Sequence, residues 1–171
     1  MTEKVKAYEI YKEAFGEDDF SLQLFSKYFE FCKVLKNGEN VVAITFLFPC
    51  EILTEKKTYN ALYLFAVATD TKYRNKGYMT KLLENIKKEH SDKILFLKPS
   101  NDGLIKFYEK QGFYTVKAKS SREGEKRIVL GKALYNLSKG ESEADNSIYD
   151  LMCFYTEKID LNGISFADTM E

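Results

Sequence analysis

The fold of this chain is decided by one stretch, Val67-Ala68-Thr69-Asp70-Thr71-Lys72-Tyr73-Arg74-Asn75-Lys76-Gly77-Tyr78-Met79-Thr80. Its first residues end an apolar run that begins at Tyr59, which predicts a buried strand. Its middle is polar and basic, and after Gly77 the apolar residues recur at helical spacing. The stretch therefore predicts a strand, then a loop, then the start of a helix.

The start of that helix is a candidate phosphate site. The first backbone N–H groups of a helix have no partner within it, and the positive end of the helix dipole adds to their attraction for phosphate oxygens. Gly77 would let a phosphate approach the backbone closely. A solvated turn explains Asn75-Lys76-Gly77 equally well at this point, since the P-loop and dinucleotide-binding spacings are both absent.

Composition limits the class of protein. The chain has 171 residues, the usual size of one domain, and its 44% hydrophobic content with 13 Phe and 12 Tyr argues against disorder. Its 26 basic and 26 acidic residues cancel, which argues against a nucleic-acid-binding or membrane-surface protein. We therefore expect a single domain over residues 1–171.

The cysteines and the N-terminus indicate the compartment. Cys32, Cys50 and Cys153 are widely spaced and include no CxxC pair, so neither a disulfide framework nor a metal site is predicted. The first six residues carry charges, at Glu3, Lys4 and Lys6, where a signal peptide needs an apolar core, and no apolar run approaches the ~18 residues of a membrane span. We expect a protein of the reducing cytoplasm.

Two helices are predicted at the start of the chain. The first should end at Gly16 and bury a stripe of four apolar residues, Val5, Tyr8, Tyr11 and Phe15. The second, capped by Asp18 or Asp19, should bury three more, Leu22, Phe25 and Phe29.

Antiparallel strands should follow these helices. Phe31–Leu35 and Val41–Phe48 are predicted to form a hairpin, because Asn37-Gly38 supplies the positive φ angles of a tight turn. Pro49 should interrupt this run, and Cys50–Thr54 either continues or bends the strand. Tyr59–Ala68 is the next strand.

Beyond the quoted stretch, the pattern predicts alternating helices and strands. They are helices Tyr78–His90 and Asp102–Gln111 and strands Ile94–Leu97, Phe113–Ala118 and Arg127–Leu134. Strand, helix and strand in succession imply a parallel crossover. The polar residues 138–147 should form an exposed loop, and the aromatic residues of the last segment, 148–171, should pack on the sheet.

The second of these helices carries a tyrosine on its apolar face. Asn101 can cap the helix, Leu104, Phe107 and Tyr108 form its inward face, and Gly112 ends it. A tyrosine in such a place is more often a core residue than a catalytic one, and both interpretations are open from this helix alone.

The two features together resemble a known family. Arg74-x-x-Gly77-x-Met79 after a strand, followed by Asn101 and Phe107-Tyr108-x-x-x-Gly112-Phe113, is similar to the GNAT superfamily of acyl-CoA N-acyltransferases. The similarity covers about Val41 to Leu134. It implies an α/β (α+β) fold with a mixed, mostly antiparallel central sheet, a splayed parallel pair and flanking helices.

The resemblance also implies a site and a reaction. Acetyl-CoA would be the co-substrate, and the cofactor-binding residues would be Val67, Ala68, Thr69, Arg74, Asn75, Lys76, Gly77, Tyr78, Met79, Thr80 and Asn101. A primary amine of a small molecule or peptide would attack the thioester directly, with Tyr108 as the general acid toward the thiolate. No acidic residue on strand Tyr59–Thr69 supplies the base, and Glu51 and Glu30 are only guesses.

Other interpretations and partners stay open. The chain could be a non-catalytic module that binds acyl-CoA and regulates or senses, or a structural domain with a coincidental loop. The single histidine, His90, is interpreted as structural at a helix end. We expect no nucleic acid or membrane partner, and a homodimer is not excluded.

Overall fold

The computed structural model describes residues 2–118, 126–138, 151–156 and 159–167. Its helices are α1 (Glu3–Phe15), α2 (Asp19–Lys27), α3 (Tyr78–Glu89), α4 (Ile105–Lys110) and α5 (Lys132–Ser138). Its strands are β1 (Cys32–Asn37), β2 (Asn40–Leu53), β3 (Thr58–Thr69), β4 (Ile94–Leu97), β5 (Tyr114–Lys117), β6 (Arg127–Leu130), β7 (Leu151–Tyr155) and β8 (Ser165–Ala167).

The chain forms two compact units. The first consists of Met1–Leu47 and Leu64–His90, and the second of Phe48–Tyr63 and Ser91–Glu171. Strands β2 and β3 each contribute to both units, because both boundaries fall inside these strands. The single domain predicted over residues 1–171 stays a prediction.

Helix α1 ends where the sequence predicts, but it buries a different face. Gly16 follows its last residue with a φ of 85°. The buried residues are Ala7, Ile10 and Tyr11, whereas Val5 and Phe15 are 47% and 44% exposed. The predicted stripe was therefore wrong at both ends, because two apolar stripes overlap on this helix and periodicity does not show which one meets the core.

Helix α2 begins at a capping box. The Asp18 carboxylate accepts the Ser21 N–H (2.8 Å), and the Ser21 hydroxyl oxygen accepts the Asp18 N–H (2.9 Å). This confirms Asp18 as the cap. Leu24 and Phe25 are buried, while Leu22, which was predicted to be inside, is half exposed.

Strands β1 and β2 form the predicted hairpin of the first unit. They pair antiparallel from Cys32 opposite Phe46 to Asn37 opposite Asn40, and Gly38 has a φ of 64°. The expected interruption at Pro49 was wrong, and the alternative that Cys50–Thr54 continues the strand is confirmed as far as Leu53, where β2 ends. Proline lacks only the N–H group, and its carbonyl accepts the Gly131 N–H at 3.1 Å.

The sheet has the strand order β5-β7-β4-β3-β2-β6-β8, with β1 paired to β2 outside this path. Strand β3 is parallel to β4, from Ala61 opposite Ile94 to Tyr63 opposite Phe96. Strand β6 is parallel to β8, and β2–β6, β4–β7 and β5–β7 are antiparallel. The predicted mixed, mostly antiparallel sheet with flanking helices is confirmed, and the β6–β8 pair is a second parallel pair that the sequence did not indicate.

The chain turns from strand to helix at Gly131, where the sequence predicted a strand as far as Leu134. The Tyr135 N–H donates to the Gly131 carbonyl (2.9 Å) in the first turn of α5. A Cβ atom at residue 131 would lie 2.4 Å from the Pro49 carbonyl oxygen. Only glycine fits this approach. The predicted strand to Leu134 was wrong, because β6 ends at Leu130 and α5 begins at Lys132.

The described residues of the last segment form two strands of the sheet itself, β7 and β8, whereas the sequence predicted that this segment packs on the sheet. Strand β7 lies between β4 and β5, and its Phe154 is fully buried and stacks on Phe96 (5.7 Å between ring centroids). The predicted exposed loop lies outside the described residues, except for Ser138. The predicted helix Asp102–Gln111 is a 3-10 turn, Asp102–Leu104, followed by α4.

Candidate functional site

Strand β3 contains a residue in the left-handed conformation. Ala66 has a φ of 61°, which is rare outside glycine and is the geometry of a β-bulge within a strand. Directly before it, the buried Thr45 hydroxyl donates to the Phe65 carbonyl at 3.0 Å. Val67–Thr69, the residues predicted to hold the thioester arm, directly follow Ala66 at the end of β3. Sequence analysis missed Ala66 because alanine carries no signal for a positive φ.

A buried carboxylate shapes the turn that follows β3. Asp70 is 4% exposed, its N–H donates to the Val42 carbonyl (2.8 Å), and its carboxylate accepts the Lys72 N–H (3.0 Å). Its second carboxylate oxygen lies 2.7 Å from Lys6 Nζ of α1. Burial alone would raise the pKa of Asp70, but the ion pair with Lys6, the hydrogen bond from the Lys72 N–H and the positive charge of the Lys72 side chain outweigh burial and lower that pKa.

The predicted phosphate loop has the conformation of an anion cradle. Asn75 and Gly77 have φ angles of 61° and 83°, and Gly77 is the residue before the first turn of α3. The first backbone bond of the helix runs from the Lys81 N–H to the Gly77 carbonyl (3.1 Å), so the N–H groups of Tyr78 and Met79 have no partner within the helix. A Cβ atom on Gly77 would meet nothing within 4 Å.

Positive charges surround this helix start. The side chains of Lys72, Arg74 and Lys76 are exposed, and the first turn of α3 carries no acidic residue. Arg74 Nε donates to the Thr69 carbonyl at 3.2 Å, and Lys76 Nζ lies 5.8 Å from the centroid of the Tyr73 ring. Open backbone donors, a positive dipole end and three cations together favour a dianionic ligand over a plain solvated turn.

Helix α3 is held firmly behind the loop. Leu82, Leu83 and Ile86 are buried, and the Lys33 ammonium group lies 2.9 Å from the Glu89 carboxylate. His90 caps the C-terminal end of the helix, where its N–H donates to the Ile86 carbonyl (3.0 Å). This place agrees with the structural role predicted for the histidine.

Asn101 and Tyr108 belong to the second unit. Asn101 precedes the 3-10 turn, its carbonyl accepts the Leu104 N–H (3.2 Å), and its side chain makes no capping hydrogen bond. Asn101 therefore lies at the start of the helical segment, as predicted, but the prediction that its side chain caps this segment was wrong. Since the amide group is exposed, it is available to a ligand.

Tyr108 lies on α4 with an almost buried side chain, 4% exposed. Its ring packs edge-on against Phe107 and Phe113, at 5.2 and 5.9 Å between centroids. Burial, and secondarily Cys153, raises the pKa of Tyr108 well above that of an ordinary phenol. The hydroxyl is therefore neutral at physiological pH and can donate a proton or a hydrogen bond.

The two glutamates named as candidate general bases, Glu51 and Glu30, are both exposed to solvent. Glu51 is exposed on β2 opposite Val129, and Glu30 is exposed in a 3-10 turn. Among the described residues, no group of three His, Cys, Asp or Glu side chains could hold a metal ion. No helix in the described part of the chain is long and apolar enough to span a membrane.

Comparisons with solved structures find the same fold. A probable N-acyltransferase from Enterococcus faecalis is 16% identical over 67% of this chain and 30% of that one, with a TM-score of 0.58. A ribosomal-protein-S18-alanine N-acetyltransferase from Escherichia coli is 18% identical over 94% and 91%, with a TM-score of 0.55. An aminoglycoside 6'-N-acetyltransferase complexed with coenzyme A is 12% identical over 92% and 93%, with a TM-score of 0.58. At these identities the likeness shows the fold alone.

The lengths of the matched proteins differ. This chain spans about a third of the E. faecalis protein, and likewise of GCN5-related N-acetyltransferases from Kribbella flavida and Anabaena variabilis. A search of curated proteins finds no significant match.

A family model identifies the family, which the likeness in fold does not show. The acetyltransferase (GNAT) domain matches residues 2–116, more than half of the chain, and includes β3, the loop and the Tyr108 helix. This match shows that the chain belongs to the GNAT acetyltransferase family.

Proposed function

We propose that this protein transfers an acetyl group from acetyl-CoA to a primary amine of a small molecule or peptide. The observation that carries the proposal is the start of α3, where Gly77 is left-handed, the N–H groups of Tyr78 and Met79 have no partner within the helix, and three cationic side chains are exposed. Such a site suits the pyrophosphate of coenzyme A better than a single carboxylate, because it offers several donors and three positive charges. We also propose that the protein is cytoplasmic and that its acceptor is an amine.

Each part of the co-substrate has a set of residues to hold it. The N–H groups from Asn75 to Thr80, with Arg74 and Lys76, would bind the pyrophosphate. The N–H groups of Val67–Thr69, after the bulge at Ala66, would bind the pantetheine arm and the thioester carbonyl. The exposed Asn101 amide is a further donor.

The chemistry follows from these donors and from Tyr108. An alkylamine with a pKa of ~10.4 must lose a proton before it attacks the thioester carbonyl carbon. As the C–N bond forms, the N–H groups of the bulged strand stabilise the negative charge on the carbonyl oxygen. The C–S bond then breaks, and the neutral Tyr108 hydroxyl donates a hydrogen bond to the departing thiolate, which takes up the proton that the attacking nitrogen loses.

Titration calorimetry with coenzyme A and with acetyl-CoA tests the binding site. The wild-type protein should bind both, and Gly77→Ala should weaken binding by about 10-fold or more, because alanine is strained at a φ of 83° and its methyl group occupies the open space above the loop. Gly38→Ala is the matched control, since Gly38 also has a positive φ (64°) and open space around it, in the β1–β2 turn. Absence of binding, or equal effects of the two substitutions, would overturn the proposal.

A non-catalytic acyl-CoA-binding module, regulatory or sensory, is the second candidate. It is favoured by one observation, that β3 carries no acidic residue to serve as a base. Release of free thiol from acetyl-CoA over a panel of primary amines separates the two. Turnover with any amine supports the enzyme, whereas tight binding of acetyl-CoA without turnover supports the module.

A further inference from the structure

Helix α1 contacts the turn before the phosphate loop through two polar side chains. Lys6 Nζ lies 2.7 Å from the buried Asp70 carboxylate, and the Glu13 carboxylate accepts the Thr71 N–H at 3.3 Å. All four residues belong to the first unit. Helix α1 therefore contacts the segment that lies between the end of β3 and Arg74.

Asp70 is the centre of this contact. Besides pairing with Lys6, its backbone N–H donates to Val42, its carboxylate accepts the Lys72 N–H, and its carbonyl accepts the Tyr73 N–H (2.8 Å). These bonds determine the direction in which the chain leaves the strand. A carboxylate with this little exposure is costly to bury unless it is paired, so the turn depends on the charge of Lys6.

We propose that Lys6 and Asp70 are positioning residues for the phosphate loop, and that α1 thereby sets the affinity for coenzyme A. The inference rests on the proposed function. Neither residue is expected to touch the ligand. Their pair holds the turn Thr71–Tyr73, and this turn places Arg74, Asn75 and Gly77 in front of α3.

An ordinary stabilising ion pair would behave differently. Loss of an ion pair on α1 that lies away from the loop should cost some stability and leave coenzyme A binding unchanged. The chain offers such a pair, because Lys36 Nζ lies 3.0 Å from the carboxylate of Glu3 on the same helix. Lys36→Met therefore matches Lys6→Met in charge, in side chain and in the helix affected.

The experiment measures coenzyme A affinity and amide hydrogen exchange in the full chain. Lys6→Met should weaken coenzyme A binding by about 10-fold, and Lys6→Arg should restore most of it, because arginine can also pair with a carboxylate. In enzyme assays the KM for acetyl-CoA should rise while kcat stays within about 2-fold. The Lys72 and Tyr73 N–H groups should exchange faster in Lys6→Met and stay as in wild type in Lys36→Met.

The outcomes separate this inference from the proposed function. Wild-type affinity and exchange in Lys6→Met, or equal losses in Lys36→Met, would overturn the positioning role. If the wild-type protein does not bind coenzyme A, the proposed function fails, and the role in binding fails with it, even if exchange at Lys72 is faster. Should Lys6→Met not fold, the double variant Lys6→Met/Asp70→Asn leaves no unpaired buried charge and is expected to show the same loss of affinity.

Discussion

Three residues carry most of the proposed chemistry, and each does so through its surroundings. Ala66 and Gly77 hold left-handed backbone conformations. Tyr108 is kept neutral by burial among aromatic rings. Alanine, glycine and tyrosine are common residues, so their function depends on conformation and environment.

The role of Tyr108 is tested by removing its hydroxyl group. Tyr108→Phe should lower kcat by ~10²-fold and leave coenzyme A affinity nearly unchanged, because the ring packing is kept and only the proton donor is lost. Tyr114→Phe is the control, since Tyr114 is in the same unit and its hydroxyl donates to the Ile159 carbonyl (2.8 Å), a structural bond. An unchanged rate in Tyr108→Phe would remove Tyr108 from the mechanism.

At the scale of elements, the contacts at the ends of helices and strands determine where each element begins and stops. The capping box at Asp18 starts α2, the left-handed Gly77 starts α3, and Gly131 ends β6 against the carbonyl of Pro49. Each junction satisfies backbone groups that a helix or strand leaves open. Helix and strand limits therefore follow these contacts more closely than the hydrophobic pattern.

The capping box gives a prediction about stability. Asp18→Ala should lower the free energy of unfolding by about 1 kcal/mol, because the Ser21 N–H loses its acceptor. Asp19→Ala should cost only a few tenths of a kcal/mol, since Asp19 is the first residue of α2 and acts mainly on the helix dipole. Urea denaturation of both variants measures the difference, and equal losses would contradict the assignment of the cap.

At the scale of the whole molecule, several buried acids are held in their neutral forms. Burial raises the pKa of Cys50 and of Tyr114 to about 12, with Asp160 a smaller cause for the tyrosine. Burial also raises the pKa of Tyr108 and of Cys153. Folding thus favours the protonated state of these groups.

The stability of the protein should therefore fall in alkaline solution. A group whose pKa is raised by folding contributes its stability fully below the unfolded value and loses it as the pH rises through the folded value. For these thiols and phenols the loss should begin near pH 9 and continue to about pH 12. Urea midpoints measured at pH 7, 9 and 10.5 should decrease in that order, and a midpoint that rises with pH would contradict the expected linkage. Tyr114→Phe should make the decrease shallower.

Much of the architecture could be predicted from the sequence. The hairpin at Asn37-Gly38, strand β4 and the start of α3 at Tyr78 follow from local turn chemistry and periodicity. The phosphate loop and Tyr108 were also identified from their residues, and their roles stay proposals. The predictions failed where contacts with a distant part of the chain determine the structure. Examples are the buried face of α1 and the continuation of β2 through Pro49.

What the sequence alone determined is the family, the order of elements and the loop at Arg74–Met79, because these depend on residue types at short spacing. Only the tertiary structure determined the left-handed conformation of Ala66, the parallel pairing of β6 with β8 and the ion pair between Lys6 and Asp70. Lys6 and Asp70 are 64 positions apart, and nothing in either local pattern signals the other. Burial creates the need for that pair, and burial exists only once the chain has folded.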